Sequence, residues 1–453
     1  MKLSGWGRFP TIEATLHEPG SKAAFSIELA DAKESLIARG AGRSYGDSAL
    51  AATVLSSRNL DNFIALEQNE AADTAILHCA AGVSLDSVLR LITPKGIFLP
   101  VVPGTRFVSV GGAIAADIHG KNHHRDGCFS NFLESFTLLL ANGETRLCSR
   151  DENQELFAAT CGGMGLTGII LDAKIHLHKV PGLFINNKTL IASNLDECFD
   201  LMEANANAHY SVAWVDCLKR GSALGRSCLF LGEHTETPAR HADKEHRSGT
   251  LLNVPFTSPS WLLNSLSMRS FNSLYFQRQQ LRRAESLVHY LDYFFPLDKI
   301  GGWNRLYGKR GFIQYQCALP RESARNGVRE ILERVSAAGK GSFLAVLKLF
   351  GAANDNPLSF PIAGATLTLD FKMEDSLPPL LNELDAVVLN HGGRLYLAKD
   401  ARMSEATFKA SYPRWGEFMA IRETVDPDQK FASLQASRLG LAVDAAAGRQ
   451  SGA

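Results

Sequence analysis

The segment 110–124 contains more residues able to bind a ligand or move a proton than any other part of the chain. Gly111 and Gly112 have no Cβ, so a ligand can approach the backbone closely there. The small and apolar residues 113–116 predict a short helix, whose free N–H groups beside the two glycines suit a pyrophosphate. Residues 117–124 then combine an acid, three imidazoles, a lysine and an amide. Because an apolar run leads into this cluster, it indicates a site rather than a solvated loop.

A second glycine-rich turn, 39–47, follows an apolar run at 36–38 that predicts a short buried strand. A Rossmann dinucleotide fingerprint has to be considered, but Tyr45 stands where its third glycine belongs and Gly46 comes one residue later. Asp61 has a spacing that suits a ribose contact, so an NAD-binding Rossmann domain stays open as an alternative. The other interpretation is a nest of successive N–H groups that binds a phosphate.

A third turn, 103–105, follows an apolar segment at 98–102 that predicts another short strand, and it leads into segment 110–124. Two such turns, each placed after a strand, can close on one ligand from both sides. Three further helices are expected: a capped helix within 11–35, a helix with Ser84 or Asp86 as its N-cap that ends at 94–96, and a helix at 155–160. Strands are expected at 74–81 and 169–177, with a hairpin turn at 142–143.

Composition excludes several classes of protein. The chain has 453 residues, enough for two domains, and its 47 basic and 47 acidic residues give no overall field that would favour nucleic acid. Eight cysteines without a Cys-x-x-Cys pair predict neither a disulfide framework nor a zinc site. No signal peptide and no transmembrane run is visible, so a cytoplasmic location is the expectation.

After a boundary at 181–182 the glycine density drops, and we expect one domain from 183 to 393. The polar, proline-containing part at 233–258 is expected to be loosely ordered. Residues 260–284 mix large apolar side chains with arginines. This pattern predicts either a helix on an anionic membrane surface or an ordinary helix with its apolar face on the core. The tail, 442–453, is expected to be frayed and disordered.

Short motifs along nearly the whole chain carry a family resemblance. The longest is Asp-Ile-His-Gly-Lys-Asn-His-His at 117–124, and Gly-Arg-Ser-Tyr-Gly-Asp at 42–47 is a broader mark of flavin enzymes; further motifs lie at 103–106, 165–170, 357–362, 392–396 and 398–400. Together they resemble the decaprenylphosphoryl-β-D-ribose 2′-oxidases, which have the vanillyl-alcohol-oxidase (PCMH) type of fold. The resemblance implies an α+β fold with an FAD-binding domain in two parts, 5–182 and 394–441, around a substrate domain, 183–393, that has an antiparallel sheet and helices.

The resemblance also implies which residues line the FAD. Tyr45 stands where many relatives carry the histidine that attaches FAD covalently, so non-covalent FAD is expected. The implied cofactor-binding residues are Ala38, Arg39, Gly40, Ala41, Gly42, Arg43, Ser44, Tyr45, Gly46, Asp47, Ser48, Gly104, Ser109, Val110, Gly111, Gly112, Ala116, Asp117, Ile118, His119, Ile170 and Tyr396.

In the activity that the resemblance implies, the 2′-hydroxyl of a polyprenyl-phosphoryl-β-D-ribose is oxidised to a keto group by hydride transfer to flavin N5. A reductase of the short-chain dehydrogenase type then completes epimerisation to the arabinose sugar for cell-envelope arabinan. Lys399, His119 and Lys121 match catalytic positions. Tyr45, Gln314, Gln316, Lys348, Thr366, Thr368 and Lys399 match substrate-binding positions. A cation near the flavin and the carbinol would stabilise developing negative charge.

Several alternatives stay open from the sequence. Lys399 can instead be a surface lysine paired with Asp400, and His119 and His123 have the spacing of metal ligands, although no further ligand lies nearby. We therefore expect no metal. Thr368, Thr366, Phe294 and Val212 replace more polar or thiol residues of the mycobacterial enzymes, which puts the substrate more in question than the reaction. Oxidation of a free polyol, sugar or aldonolactone is the second hypothesis, and a non-catalytic flavin-binding component is the third.

Overall fold

The computed structural model describes residues 1–69, 73–236, 252–259 and 262–443. Their strands are β1 Lys2–Ser4, β2 Thr11–Glu13, β3 Thr15–His17, β4 Leu36–Arg39, β5 Thr53–Ser56, β6 Phe63–Asn69, β7 Thr74–Ala80, β8 Ile97–Phe98, β9 Leu133–Leu139, β10 Thr145–Ser149, β11 Ile169–Lys179, β12 Phe184–Ala192, β13 Tyr210–Val215, β14 Ser227–Thr235, β15 Leu252–Asn253, β16 Glu285–His289, β17 Ile300–Gly301, β18 Phe312–Pro320, β19 Ala345–Phe350, β20 Gly364–Lys372 and β21 Arg394–Leu395.

The α-helices of the same residues are α1 Lys22–Asp31, α2 Leu85–Ile92, α3 Val110–Ala115, α4 His123–Asp126, α5 Gln154–Thr160, α6 Leu195–Ala204, α7 Ser265–Gln280, α8 Tyr290–Phe294, α9 Arg321–Ala338, α10 Leu377–Asn390, α11 Glu405–Ser411, α12 Trp415–Val425 and α13 Leu434–Arg438. Helices and largely antiparallel sheets thus occur in one chain, and the predicted α+β class is confirmed.

The first part of the chain builds two sheets. Strands β3, β5 and β4 form a parallel sheet, and β10, β9, β11, β7 and β6 form an antiparallel one, to which β8 adds through β11. Helix α3 packs closely on the second sheet because Gly111 donates its N–H to Ala81 O at 2.8 Å, and a Cβ at Gly111 would lie 3.0 Å from the Ala81 side chain. The absence of a side chain at Gly111 therefore permits this close packing.

The larger sheet has the order β16-β12-β14-β13-β19-β20-β18-β21, and every pairing in it is antiparallel. Successive side chains of a strand point to opposite faces. On β20 one set, Leu367, Leu369 and Phe371, joins the apolar core that α9 and α10 complete. The alternate set, Thr366, Thr368 and Asp370, points to the other face. This second face supplies one wall of the candidate site.

Most predicted elements are present, with local differences. Ser84 caps α2, the 94–96 segment ends it, and β9 and β10 form the predicted hairpin around 142–143. The segment 11–35 holds two short strands before its helix, because residues 11–13 and 15–17 pair with neighbouring strands. The strand expected at 98–102 stops at Phe98. The predicted 113–116 helix starts at Val110 because the Ser109 side chain caps it.

Two segments with predicted disorder lie partly outside the described residues. Of 233–258, the described residues include the end of β14 and all of β15, which pairs with β17, so those residues are ordered by sheet pairing. Residues 237–251 and most of the 442–453 tail lie outside the described part of the chain. The division at 182 and 393 stays a prediction.

A buried arginine ties the end of the chain to the preceding helix. Arg422 is 1% exposed and donates to Phe431 O at 2.6 Å and to Leu441 O, beside a buried Asp426 at 3.5 Å. We expect Arg422→Met to lower the free energy of unfolding by about 3 kcal/mol, since the substitution leaves two carbonyls and a carboxylate without this donor. Urea denaturation followed by far-UV circular dichroism measures it.

Arg414→Met is the matched control, because Arg414 directly precedes α12, the helix that contains Arg422, but pairs with Glu417 at the surface. Its expected loss is less than about 1 kcal/mol. Equal losses for the two variants would contradict a structural role for the buried arginine.

Candidate active site

A cavity of about 630 Å³ lies between the glycine-rich segments of the first part of the chain and the open face of the large sheet. Nearly all of the predicted ligand-binding residues line it. From the predicted cofactor set these are Ala38, Gly40, Ala41, Gly42, Arg43, Ser44, Tyr45, Ser48, Gly104, Ser109, Gly111, Gly112, Ala116, Ile118, His119, Ile170 and Tyr396, and from the predicted catalytic and substrate sets they are Lys121, Gln314, Gln316, Lys348, Thr368 and Lys399.

The glycine wall consists of Gly40, Gly42, Gly104, Gly111 and Gly112, which all line the cavity. A Cβ at Gly40 would lie 2.1 Å from Ser109 Oγ, which also accepts the N–H of Gly112 at 3.3 Å. Gly42 has φ +65°, a conformation that favours glycine. At Gly104 a Cβ would meet nothing within 4 Å, so the backbone there borders open cavity. The wall thus exposes backbone to a flat or anionic ligand.

Two cavity-lining residues, Arg43 and His119, each have a buried donor atom without a partner in the described part of the chain. Arg43 Nε and His119 Nδ1 have no hydrogen-bond partner among the described residues. The Arg43 guanidinium lies 4.3 Å from the centre of the Trp6 ring. Buried polar groups in native proteins are nearly always paired. These two atoms, together with the glycine cradle, fit a bound dinucleotide with a hydrogen-bonding ring and a diphosphate.

Lys399 reaches the cavity because two loops dock against each other. Tyr45 donates its N–H to Ala398 O at 3.0 Å, and a Cβ at Gly46 would lie 1.7 Å from Asp400 O. The Lys399 ammonium consequently lies 3.8 Å from the centre of the Tyr45 ring. Burial lowers the pKa of Lys399 to about 7, with Asp370 raising it and Lys348 lowering it further.

The alternative of a Lys399–Asp400 salt bridge is wrong. Asp400 pairs instead with Arg438 at 2.8 Å and accepts the backbone N–H groups of Arg402 and Met403. No carboxylate of the described residues lies within salt-bridge distance of Lys399.

Two further lysines face the same cavity. Lys121 lies 4.1 Å from the centre of the Tyr293 ring and donates to the Tyr293 carbonyl, and Lys348 comes from β19. Burial lowers the pKa of Lys121 to about 7, with a further contribution from Lys348, and it lowers the pKa of Lys348 to about 8. An anion in the cavity would favour the charged form of each lysine. The cluster therefore predicts affinity for an anionic ligand.

His119 is held by the sheet as a neutral imidazole. Gln316 Nε2 lies 3.0 Å from His119 Nε2 and 3.2 Å from Thr366 Oγ1, so one amide donates to both and the ring carries its proton on Nδ1. Burial is the main cause that lowers the pKa of His119 well below its usual value, followed by Lys348. His119 therefore presents a neutral N–H donor rather than a cation.

Asp370, which the sequence interpretation missed, lies behind the cavity wall and acts on Lys399 electrostatically. It is fully buried, accepts from Gln314 Nε2 at 2.6 Å and from the Tyr307 hydroxyl at 3.3 Å, and is the carboxylate that raises the pKa of Lys399. Burial raises the pKa of Asp370 to about 7. Strand alternation was the available signal, because Asp370 follows Thr366 and Thr368 at a period of two.

Other missed residues form the apolar end of the cavity, among them Trp214, Phe230, Tyr275 and Val346. Asp298, which was also missed, lines the cavity as well. Trp214 was detectable because it stands two residues after Val212 on one strand. Phe230 and Tyr275 were not, since only the pairing of β13 with β14 and the packing of α7 bring them there.

Six predicted residues do not line the cavity, because each is engaged elsewhere or lies in the core. Asp117 is fully buried and accepts from Ser130 N, Asn354, Asn356 and Ser359. Thr366 supports Gln316. Arg39 donates to two backbone carbonyls, Asp47 pairs with Arg438, Gly46 contacts the 400 backbone, and Val110 lies in the core.

The neighbouring histidines serve the fold. His123 accepts the N–H of Gly351 at 3.2 Å and lies 3.4 Å from Cys128 Sγ, and His124 contacts Ala208 O at 2.9 Å. Within the part of the chain that the structure describes, no group of three or more histidine, cysteine or acidic residues is arranged to hold a metal ion.

The electrostatic link between Asp370 and Lys399 is testable. Asp370→Asn removes the negative charge that raises the pKa of Lys399, so we expect the lysine to lose its proton at a lower pH than in the wild type. Chemical-shift titration of the ε-methylene signals of ¹³C-lysine-labelled protein measures this midpoint. Lys399→Arg identifies the signal, which disappears in that variant.

Asp375→Asn is the control, because Asp375 lies nearby in sequence but pairs with Arg310 at the surface. It is expected to leave the Lys399 midpoint unchanged. The same midpoint in wild type and Asp370→Asn would show that solvent screens the carboxylate from the lysine.

Comparison with known proteins is consistent with this geometry. Residues 18–149 match the family model of the FAD binding domain, which rules out the NAD-binding Rossmann alternative, and residues 312–439 match that of D-arabinono-1,4-lactone oxidase. The chain is 23% identical to bovine (Bos taurus) L-gulonolactone oxidase over 78% of both chains. It is also 34% identical to an uncharacterized Streptomyces coelicolor protein, over 79% of this chain and all of that one.

The chain is 38% identical to the decaprenylphosphoryl-β-D-ribose oxidase of Mycolicibacterium smegmatis, over 97% of each chain. This match covers both walls of the cavity, including the glycine-rich segments and the three lysines. The chain therefore belongs to the decaprenylphosphoryl-β-D-ribose oxidase family and is an FAD-dependent oxidoreductase.

Proposed function

We propose that the protein oxidises the 2′-hydroxyl of a polyprenyl-phosphoryl-β-D-ribose to the 2′-keto sugar. The observation that carries the proposal is one cavity in which a glycine wall suited to FAD faces three lysines and two glutamines suited to a phosphorylated sugar. FAD supplies the hydride acceptor, its N5 atom. The protein has to hold the carbinol against the flavin, exclude water and manage the charge that develops.

The residues that would hold FAD are those of the glycine wall. The backbone of 40–44 and the α3 segment would surround the diphosphate, with Arg43 as its charged donor. His119, whose Nδ1 has no protein partner among the described residues, would contact the flavin ring. Lys399 would stabilise negative charge on the flavin or the carbinol, since its ammonium has no competing ion pair among the described residues.

The substrate would occupy the sheet side. Gln314, Gln316 and Thr368 offer hydrogen bonds to the ribose hydroxyls, and Lys348 with Lys121 would bind the phosphate. Oxidation leaves a keto group, and a reductase of the short-chain dehydrogenase type is the partner that would return it to a hydroxyl of opposite configuration. The resulting arabinose lipid would serve cell-envelope arabinan synthesis.

Peripheral contact with the inner membrane is part of the proposal. Helix α7 buries Met268 and Phe276 but leaves Leu266, Leu274 and Leu281 75%, 67% and 89% exposed. Arg269, Arg278, Arg282 and Arg283 are exposed beside them. Apolar side chains among basic ones suit an anionic lipid surface. No described helix is long and apolar enough to cross a bilayer.

Oxidation of a free aldonolactone or polyol is the second candidate. It is favoured by the match of residues 312–439 to the D-arabinono-1,4-lactone oxidase model. A neutral substrate of this kind gives no role to Lys121 and Lys348, whose burial is costly without an anion.

The first test is anaerobic mixing of the holoenzyme with farnesyl-phosphoryl-β-D-ribose while the visible absorbance of the flavin is followed. We expect bleaching with this lipid and not with D-ribose or L-gulono-1,4-lactone. Lys348→Met should raise the KM for the lipid sugar about tenfold or more with little change in the limiting rate of flavin reduction, because it removes a charged hydrogen bond to the phosphate.

Lys188→Met, at an exposed position on β12 of the same sheet, is the matched control and should leave KM unchanged. Bleaching by the lactone alone would assign the second candidate function. A Lys348→Met variant that lowers the limiting rate without raising KM would contradict the phosphate role.

Non-covalent FAD is proposed because Tyr45 occupies the position at which a histidyl linkage would form. Burial is the main cause that raises the pKa of Tyr45 well above its usual value, so its hydroxyl stays protonated. Precipitation with acid should release all of the flavin into the supernatant, and the intact-protein mass should equal that of the polypeptide. Yellow precipitate with an added flavin mass would contradict this prediction.

A further inference from the structure

The face of the large sheet that lines the cavity changes polarity from strand to strand. At one side, β18 and β20 contribute Gln314, Gln316 and Thr368. Register places Gln316 opposite Thr368, and Thr368 opposite Val346 on β19. These polar side chains are next to His119 and Lys399, at the end of the cavity where the glycine wall meets the sheet.

The middle of the face is cationic. Lys348 on β19 points to the same face as Val346 two residues earlier. Lys121 lies on the same side, because its carbonyl accepts the N–H of Ser211 at 2.9 Å at the start of β13. Lys348 is also the charged group that lowers the pKa of Lys121, which places the two ammonium groups near one another.

Beyond β19 the face is apolar. Val346, on the same strand as Lys348, is paired with Trp214 on β13, and Val212 is opposite Phe230 on β14. The Trp214 indole N–H is satisfied by Phe343 O at 3.0 Å, so it offers the cavity no polar atom. Tyr275 of α7 closes this end at 4.6 Å from Trp214, ring centre to ring centre.

This apolar end continues to the surface. Tyr275 stacks on Phe271 with ring centres 6.1 Å apart and planes 17° apart, and Phe271 is 45% exposed. The exposed Leu274 is its neighbour on α7. The cavity therefore has an aromatic path that connects the lysines with the exposed leucines of α7.

We propose that the substrate lies across the strands, with its ribose over β18 and β20, its phosphate over β19 and its polyprenyl chain over β13 and β14, leaving the protein past Tyr275 and Phe271. This route rests on the proposed function and specifies the substrate's orientation in that site. Neighbouring strands are about 4.8 Å apart, close to the spacing of successive sugar, phosphate and isoprene units. The polar, cationic and apolar parts of the sheet then follow the same order as the ribose, the phosphate and the polyprenyl chain of the substrate.

Two measurements test the route. A farnesyl-phosphoryl ribose that carries a diazirine on its terminal isoprene should crosslink within the peptides that contain 210–231 and 265–280. In kinetics, Phe230→Asn should raise the KM for farnesyl-phosphoryl ribose about tenfold more than the KM for methyl-phosphoryl ribose, because only the first substrate loses an apolar contact. Leu147→Ser, at a half-exposed position on β10, is the control and should change neither KM.

The outcomes separate the two proposals. Bleaching by the lipid sugar with crosslinks near 42–48 or 296–303, or an equal effect of Phe230→Asn on both substrates, would overturn the route and leave the proposed function standing. No bleaching by either phosphoryl ribose would overturn the proposed function, and the route with it.

Discussion

The site depends on the close approach of two loops that are about 350 residues apart in the chain. Only a glycine fits at position 46, because a Cβ there would lie 1.7 Å from Asp400 O. Arg438 fixes this approach by pairing with Asp47 at 2.7 Å and Asp400 at 2.8 Å. The contact places Lys399 over the Tyr45 ring, at the boundary between the glycine wall and the sheet. Without this contact, Lys399 would not lie over the Tyr45 ring.

The charge balance of the cavity explains its preference for anions. Lys121, Lys348 and Lys399 face one cavity, and the one carboxylate among its described lining residues, Asp298, is held by the backbone N–H of Arg106 at 2.9 Å. Removing an ammonium from water is costly unless an opposite charge accompanies it. Here no ion pair among the described residues offsets the cost of burial, and burial lowers the pKa of all three lysines. A phosphorylated substrate and the flavin would supply the missing negative charge.

The large sheet combines stability and recognition through the two faces of its strands. On β20, Leu367 and Leu369 pack against α9 and α10, while Thr368 lines the cavity and Asp370, on the same face, supports Gln314 from behind. Since side chains alternate strictly, an insertion of one residue would exchange the core face with the site face. The antiparallel register thus determines both the packing of the helices and the order of polar, cationic and apolar groups along the cavity.

The sequence by itself determined the fold class, the glycine turns, the FAD cofactor and the family, because local motifs such as 42–47 and 117–124 are contiguous and specific. It also predicted most cavity residues through the family resemblance. Tertiary structure alone decided that Asp400 pairs with Arg438 and that Asp117 is a buried hydrogen-bond acceptor. It also decided that Asp370 raises the pKa of Lys399. These interactions join residues that are distant in the chain. The apolar end of the cavity arises for the same reason: strand pairing and the packing of α7, which no local pattern encodes, bring Trp214, Phe230 and Tyr275 together.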